Sequence, residues 1–327
     1  MNRTVISAVF VELGRRLQSF GKTEETTVVI AQAVAANEWF SAEEIEMAVG
    51  AICEEMLAED KLQSWLAAYA EPKQSCRVGI IMAGNIPLVG FFDLMCVLLS
   101  GHTALVKPSS KDAVLMNYII GQLREICPTI PIEYYTDDKP LDRVIATGGD
   151  AAAAHFRAHY ADVPALIRGS RHSIAILSGK EAPEQMEGLC RDIYTYSGLG
   201  CRNVSLMFIP QGWSGEIPRP KAMVEMKRGN YMCDKAMLTM MGVAFEDLGG
   251  ALAVNSCSFP EALSRVHYTY YNDLQEVEEW LREHDEELQC VVTNVVNHPR
   301  KVDFGRAQHP TLWDYADGVD VMEFLII

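Results

Sequence analysis

The stretch VGIIMAGNIPLVGFFDLMCVLLSGHTALVKPSS, residues 78–110, decides the fold class. Val78 to Ala83 is an apolar run of strand length that stops at Gly84-Asn85, and Pro87 then stands where a helix would start. Leu88 to Leu99 reads as a helix closed by Ser100-Gly101. A second strand, Thr103 to Val106, runs into the turn Lys107-Pro108-Ser109-Ser110, and a helix follows over Asp112–Cys127. The rhythm continues outward with strands at Ile132–Tyr135 and Arg143–Ala146, a helix over Asp150–Tyr160, and strands at Ala165–Ile167 and Ile174–Leu177. Strands alternating with helices of this length predict an α/β fold with a doubly wound, mostly parallel sheet. Upstream, residues 1–70 read as helices. Ile6, Val9, Phe10, Leu13 and Leu17 form a 3.6-residue stripe, and Ser41-Ala-Glu-Glu is a capping box. Past Cys201 the alternation restarts: strand Val204–Ile209, helical stretches over 219–247, strand Val266–Tyr271, an acidic helix Asp273–Glu287 and strand Cys290–Thr293. The expected division is a first domain over 1–196 and a smaller α/β domain over 197–327. The apolar tail, Val319 to Ile327, is expected to be a strand that closes an edge or pairs with a second subunit, which makes a homodimer the expected assembly.

With 327 residues, 49% of them apolar, the chain can bury two cores. A net charge of −16 repels phosphate backbones, so nucleic acid is not an expected partner. The N-terminal segment alternates apolar and charged residues without a continuous apolar core, so no secretory signal is expected. The most apolar run, Ile86 to Leu99, has the length of a core helix and carries Asp93, so no membrane span is expected. Nine cysteines show neither CxxC spacing nor an even framework, which points to free thiols in a reducing, cytoplasmic setting and to no metal site.

A few positions could carry chemistry. Cys201, in Tyr196-Ser-Gly-Leu-Gly-Cys-Arg-Asn-Val, follows two glycines just before a strand, where backbone is tight and a reactant can approach. Its own N–H would face a developing oxyanion, although an ordinary buried thiol also fits the residue type. Asn85, at a strand end, can donate to an oxyanion or serve as a plain turn residue. Thr147-Gly148-Gly149-Asp150 joins a strand to a helix N-terminus and suits a pyrophosphate, but it lacks GxGxxG, and many such turns contain paired glycines. Lys107 stands at the C-terminal end of a strand, where open parallel sheets bind ligands, and equally where a solvated lysine is common. The acidic run 273–287 reads as a solvated helix face, His155 and His159 as a helix surface without a third ligand, and His267-Tyr-Thr-Tyr-Tyr as a sheet face.

Taken in order, VGIIMAGNIPLVGF, GHTALVKPSS, VIATGGDAAAAHF, ALIRGSRHSIAIL and YSGLGCRNVS resemble the aldehyde dehydrogenase superfamily, in particular its long-chain acyl-CoA reductase (LuxC) branch. The segment from Val266 to Asn294 is similar to the family's strand–helix–strand in the catalytic domain, and the closing FGRAQHPTLWDYADGVDVMEFLII is similar to the end of LuxC-type chains. The resemblance implies an aldehyde-dehydrogenase-like fold, with a nicotinamide-cofactor domain over 1–196 and a catalytic domain over 197–327. It implies Cys201 as nucleophile and Asn85 as oxyanion donor, with Lys107, Ser109, Ser110, Gly148 and Gly149 at the cofactor. The chain departs from the pattern in three places. Ile167 stands where hydrolytic members carry the glutamate that activates water, so exchange with a carrier thiol is expected in place of hydrolysis. Ser110 stands where a carboxylate would repel a 2′-phosphate, and with Lys111 beside it NADPH is expected, NADH being the alternative. The second glutamate of the family has no match around 258–265. The expected function is reduction of a fatty acyl-CoA, or another acyl thioester handed over by a protein partner, to the aldehyde through an acyl-cysteine. Aldehyde oxidation, or a silent nucleotide- or CoA-binding subunit, are the alternatives.

Overall fold

The computed structural model describes residues 2–72, 74–137 and 139–326. Its contacts divide the chain into one unit of residues 1–170 and 310–327 and a second of residues 171–309.

The first unit opens with four helices, α1 Arg3–Leu17, α2 Glu24–Ala36, α3 Ala42–Glu55 and α4 Glu59–Leu66. Asn2 caps α1 by accepting from the Thr4 N–H, and the stripe Ile6, Val9, Phe10, Leu13 and Leu17 is buried, as its spacing predicts. Ser41 caps α3 by accepting from the Glu44 N–H. There follow β1 Arg77–Ile81, α5 Phe91–Leu99, β2 Thr103–Lys107, α6 Ala113–Ile126, β3 Ile132–Tyr134, β4 Arg143–Thr147, α7 Asp150–His159 and β5 Ala165–Arg168. These five strands form one parallel sheet in the order β3-β2-β1-β4-β5. Alternate residues of each strand bury on opposite faces, which is why the strands read as continuous apolar runs. Ile80, Val106 and Ile145 pack toward the helical side, whereas Val144 and Ala146 pack with Tyr160 beyond α7.

The second unit contains β6 His172–Ile176, α8 Pro183–Tyr194, β7 Val204–Pro210, α9 Glu225–Met241, β8 Glu246–Asp247, β9 Leu252–Asn255, β10 Arg265–Tyr271, α10 Leu274–Glu283, β11 Leu288–Thr293 and β12 Lys301–Val302. Its seven strands run in the order β12-β11-β6-β7-β10-β9-β8, parallel except for the short edge pair β8–β9. On one face α8 contributes Leu189 and Ile193 to a core with Met207 and Val292. On the other, α10 contributes Val277 and Leu281 against Leu206 and Phe208.

Three sequence expectations are corrected. The division falls at 170/171 rather than 196/197, because β6 pairs with β7 and β11 in the second sheet and brings α8 with it. Helix α5 begins at Phe91, not Leu88, because Leu88 takes a left-handed conformation (φ 57°) and residues 87–90 form a turn. The C-terminal tail is a helix, α11 Val321–Ile326, and not a strand. Asp320 starts it by accepting from the Met322 and Glu323 N–H groups, and Val321, Met322 and Leu325 bury in the first unit's core. The tail therefore offers no strand edge to a second subunit; Ile327 lies outside the described residues.

Candidate active site

In the first unit the strand order reverses between β1 and β4, and in such sheets ligands bind beyond the C-terminal strand ends at that point. The loop after β1 carries Asn85 and the turn after β4 carries Gly148 and Gly149, so both flank this switch point. Gly148 is required by close approach: a Cβ there would stand 2.8 Å from the Cβ of Ala152. Gly149 is the N-cap residue of α7 and supplies no capping side chain, which leaves helix N–H groups aimed outward, a cradle suited to a diphosphate. Asp150 turns aside to accept from the Ser170 N–H at 2.8 Å. Lys107 ends β2 with an exposed side chain, 3.8 Å from Asp137 and 5.7 Å from the centre of the Tyr135 ring. Ser110 is exposed, and the Ser109 hydroxyl accepts from the Lys111 N–H. A cationic and hydroxyl-bearing edge beside a glycine cradle fits a nucleotide cofactor.

The Asn85 loop is held from below by a residue that the sequence did not reveal. Asp112 is 2% exposed and its Oδ2 accepts from the Leu88 N–H at 3.0 Å, which fixes the left-handed residue of the loop. A Cβ on Gly84 would stand 2.6 Å from Ser109 and 3.2 Å from Asp112, so the two loops are in direct contact. Oδ1 of Asp112 has no hydrogen-bond partner among the described residues. Burial pushes its carboxyl up to about 8 from an ordinary 3.8, against the opposing pull of the Leu88 N–H. Between about pH 4 and 8 the folded chain keeps a proton that the unfolded chain releases, so stability falls as pH rises through that window and is level above it. Asp112→Asn keeps the Leu88 acceptor and removes the titration. It is expected to match wild type near pH 4 and to exceed it at pH 9 by up to about 5 kcal/mol, the rise from 3.8 to about 8 converted at about 1.4 kcal/mol per pH unit, read from urea midpoints at both pH values. Asp192, also raised by burial, to about 6, is common to both proteins and cancels.

Beside this loop, Arg168 at the end of β5 donates to both oxygens of Asp93 on α5, at 2.7 and 3.0 Å, and to the Thr147 hydroxyl at 3.4 Å. Both charges are almost fully buried. The preceding residue, Ile167, packs against the cluster of Val144, Ala146 and Tyr160.

In the second unit Cys201 is exposed, whereas six of the nine cysteines, none in a disulfide, are buried or half-buried. Its backbone is tied on both sides. The Cys201 carbonyl accepts from Ser173 Oγ at 2.8 Å, and that fully buried hydroxyl also accepts from the Cys290 N–H. Asn203, 4% exposed, accepts from the Gly200 N–H at 2.8 Å and spreads its amide hydrogens over the carbonyls of Asp192, Ile193 and Thr195. Arg202 Nε donates to the Ala307 carbonyl. The glycines signalled the loop, but Ser173 and Asn203 were not anticipated as its fixtures. Among the described residues no group of three His, Cys, Asp or Glu could hold a metal ion, and His155 and His159 stack on each other along α7. No helix among them is long and apolar enough to cross a membrane.

Comparison with known proteins gives the family and the fold. The LuxC acyl-CoA reductase family model matches residues 15–215, more than half of the chain. A long-chain acyl-protein thioester reductase of Aliivibrio fischeri is 27% identical over 144 residues, a match that spans 37% of this chain and only 29% of that protein. Among solved structures, aldehyde dehydrogenase 21 of Physcomitrella patens superposes with a TM-score of 0.66 at 12% identity, covering 91% of this chain and 74% of its own. An aldehyde dehydrogenase of Bacillus cereus, solved as its NAD+ complex, gives 0.62 at 13%, covering 90% and 73%. At such identities these likenesses establish the aldehyde dehydrogenase fold alone. With the family model spanning both the glycine cradle and the Cys201 loop, the chain belongs to the LuxC family of acyl-CoA reductases.

Proposed function

We propose that the chain reduces an acyl thioester, a fatty acyl-CoA or its protein-bound equivalent, to the aldehyde by way of an acyl-Cys201 intermediate. The observation that carries the reading is an exposed thiol on a backbone fixed by Ser173 and Asn203. The Cys201 thiolate attacks the thioester carbon, the new S–C bond forms, and the carrier leaves as its thiolate. The Cys201 N–H and the Asn85 amide are the donors assigned to the tetrahedral oxyanion. A nicotinamide cofactor, when bound, supplies the hydride for the acyl carbon. Lys107, Ser109, Ser110 and the Gly148-Gly149 cradle are the residues that would hold it. Collapse of the resulting thiohemiacetal releases aldehyde and returns the Cys201 thiolate. Ile167, built into an apolar cluster, supplies no base to activate water, which favours exchange with a carrier thiol over hydrolysis.

Steady-state aldehyde formation from palmitoyl-CoA with NADPH or NADH tests the reading. Aldehyde is expected with both, with NADPH at least as effective as NADH. A strong preference for NADH would contradict the role given to Ser110, and no aldehyde with either would contradict the function.

A further inference from the structure

Ahead of Cys201 the chain makes an unusual turn: Tyr196, Ser197 and Gly198 are consecutive left-handed residues, with φ of 54°, 57° and 80°. Glycine adopts that region freely, but two residues with side chains do not, and such conformations persist only where the surroundings over-determine them. Tyr196 and Ser197 are buried, so solvent does not hold the turn. Lys227, on the first turn of α9, does touch it. Its side chain is buried, with the residue 5% exposed, and Nζ donates to the Ser197 carbonyl at 2.8 Å. The same ammonium stands 5.7 Å from the centre of the Tyr194 ring, and a Cβ on Gly198 would come within 3.7 Å of it. A lysine is rarely buried to this degree, because its charge is costly to remove from water unless it is bound. Here the ammonium is turned onto a carbonyl in the middle of a strained turn, four residues before the exposed thiol. Asn203 clamps the loop from the downstream side through Gly200, and Lys227 clamps it from upstream.

We infer that Lys227 is a positioning residue that locks the 196–198 turn in its left-handed form and so sets the backbone from which Cys201 reacts. This rests on Cys201 being the nucleophile.

The test is single-turnover acylation of Cys201 in the full chain by palmitoyl-CoA without reductant, followed by peptide mass spectrometry across donor concentrations. Lys227→Met is expected to lower the saturating rate about 30-fold or more, with the half-saturating donor concentration changed less than about threefold. Lys227→Arg, which keeps a donor of different shape, is expected to fall between the two. Adding Ser197→Gly to Lys227→Met is expected to restore the rate to within about fivefold of wild type, because glycine holds the turn without the clamp. Thermal unfolding of each variant checks folding. A Lys227→Met protein that acylates within threefold of wild type, or one whose loss Ser197→Gly leaves uncorrected, would overturn the inference. If Lys227→Met does not fold, Lys227→Arg decides: a loss of fivefold or more supports the clamp and an unchanged rate overturns it. If wild type takes no acyl group, the proposed function fails rather than the clamp. Carbamidomethylation of Cys201 relative to the exposed Cys233 then reads the turn. A ratio changed tenfold by Lys227→Met and restored by Ser197→Gly supports the clamp, and an unchanged ratio overturns it.

Discussion

Replacing Cys201 by alanine is expected to lower the turnover number for aldehyde formation by about 10^4-fold or more, the loss that follows removal of a covalent nucleophile. The fold should be nearly indifferent to the change. The Cys201 side chain is exposed, and its structural contribution is its carbonyl, which accepts from Ser173 and is present in any residue. Stability is expected to stay within about 0.5 kcal/mol of wild type. Activity lost with stability kept separates a chemical role from a packing role, and aldehyde assays beside urea titrations provide both readings. A Cys201→Ala protein that still forms aldehyde at a tenth of the wild-type rate would remove the acyl-cysteine from the mechanism.

The largest loss of stability is expected at the buried pair of Asp93 and Arg168. Arg168→Ala leaves a carboxylate 6% exposed with its bidentate partner gone, and the expected cost is about 3–5 kcal/mol. Burial alone would lower the Arg168 pKa, but the negative groups around it, Asp93 foremost, raise it on balance, so the guanidinium keeps its charge. The double replacement Asp93→Leu with Arg168→Met removes both charges together and is expected to cost less than either charge removed alone. Equilibrium unfolding in urea checks both statements. An Arg168→Ala protein within 1 kcal/mol of wild type would show that Asp93 is solvated or protonated without its partner.

What could be read from the sequence depended on range. The strand that ends in Gly84-Asn85, the Lys107-Pro108 turn and the paired glycines at 148 and 149 were legible, because an apolar run of strand length closed by turn residues is a local signal. So was the α1 stripe. The short apolar tail was not, since Val-Met-Glu-Phe-Leu-Ile fits a strand or a helix, and only the capping by Asp320 decides. Helix α8 is weakly marked in the sequence although Pro183 stands at its first turn, where proline is favoured. The domain division was misplaced because pairing of β6 with β11 joins residues 117 apart in sequence or nearly so. The fixtures of the candidate site were hidden for the same reason. Arg168 reaches Asp93 across 75 residues, Lys227 reaches Ser197 across 30, and Asp112 reaches Leu88 across 24. Residue types at such separations carry no period and no motif. The order of five motifs could point to Cys201 and Asn85, but the residues that hold their loops emerge only from the fold.

The most direct test of the account is the intact mass of the protein after incubation with palmitoyl-CoA and no reductant. The account predicts that wild type gains one acyl group, located on the peptide containing Cys201, and that Cys201→Ala gains none. A wild-type chain that gains no acyl group, or a Cys201→Ala chain that gains the same one, would contradict it.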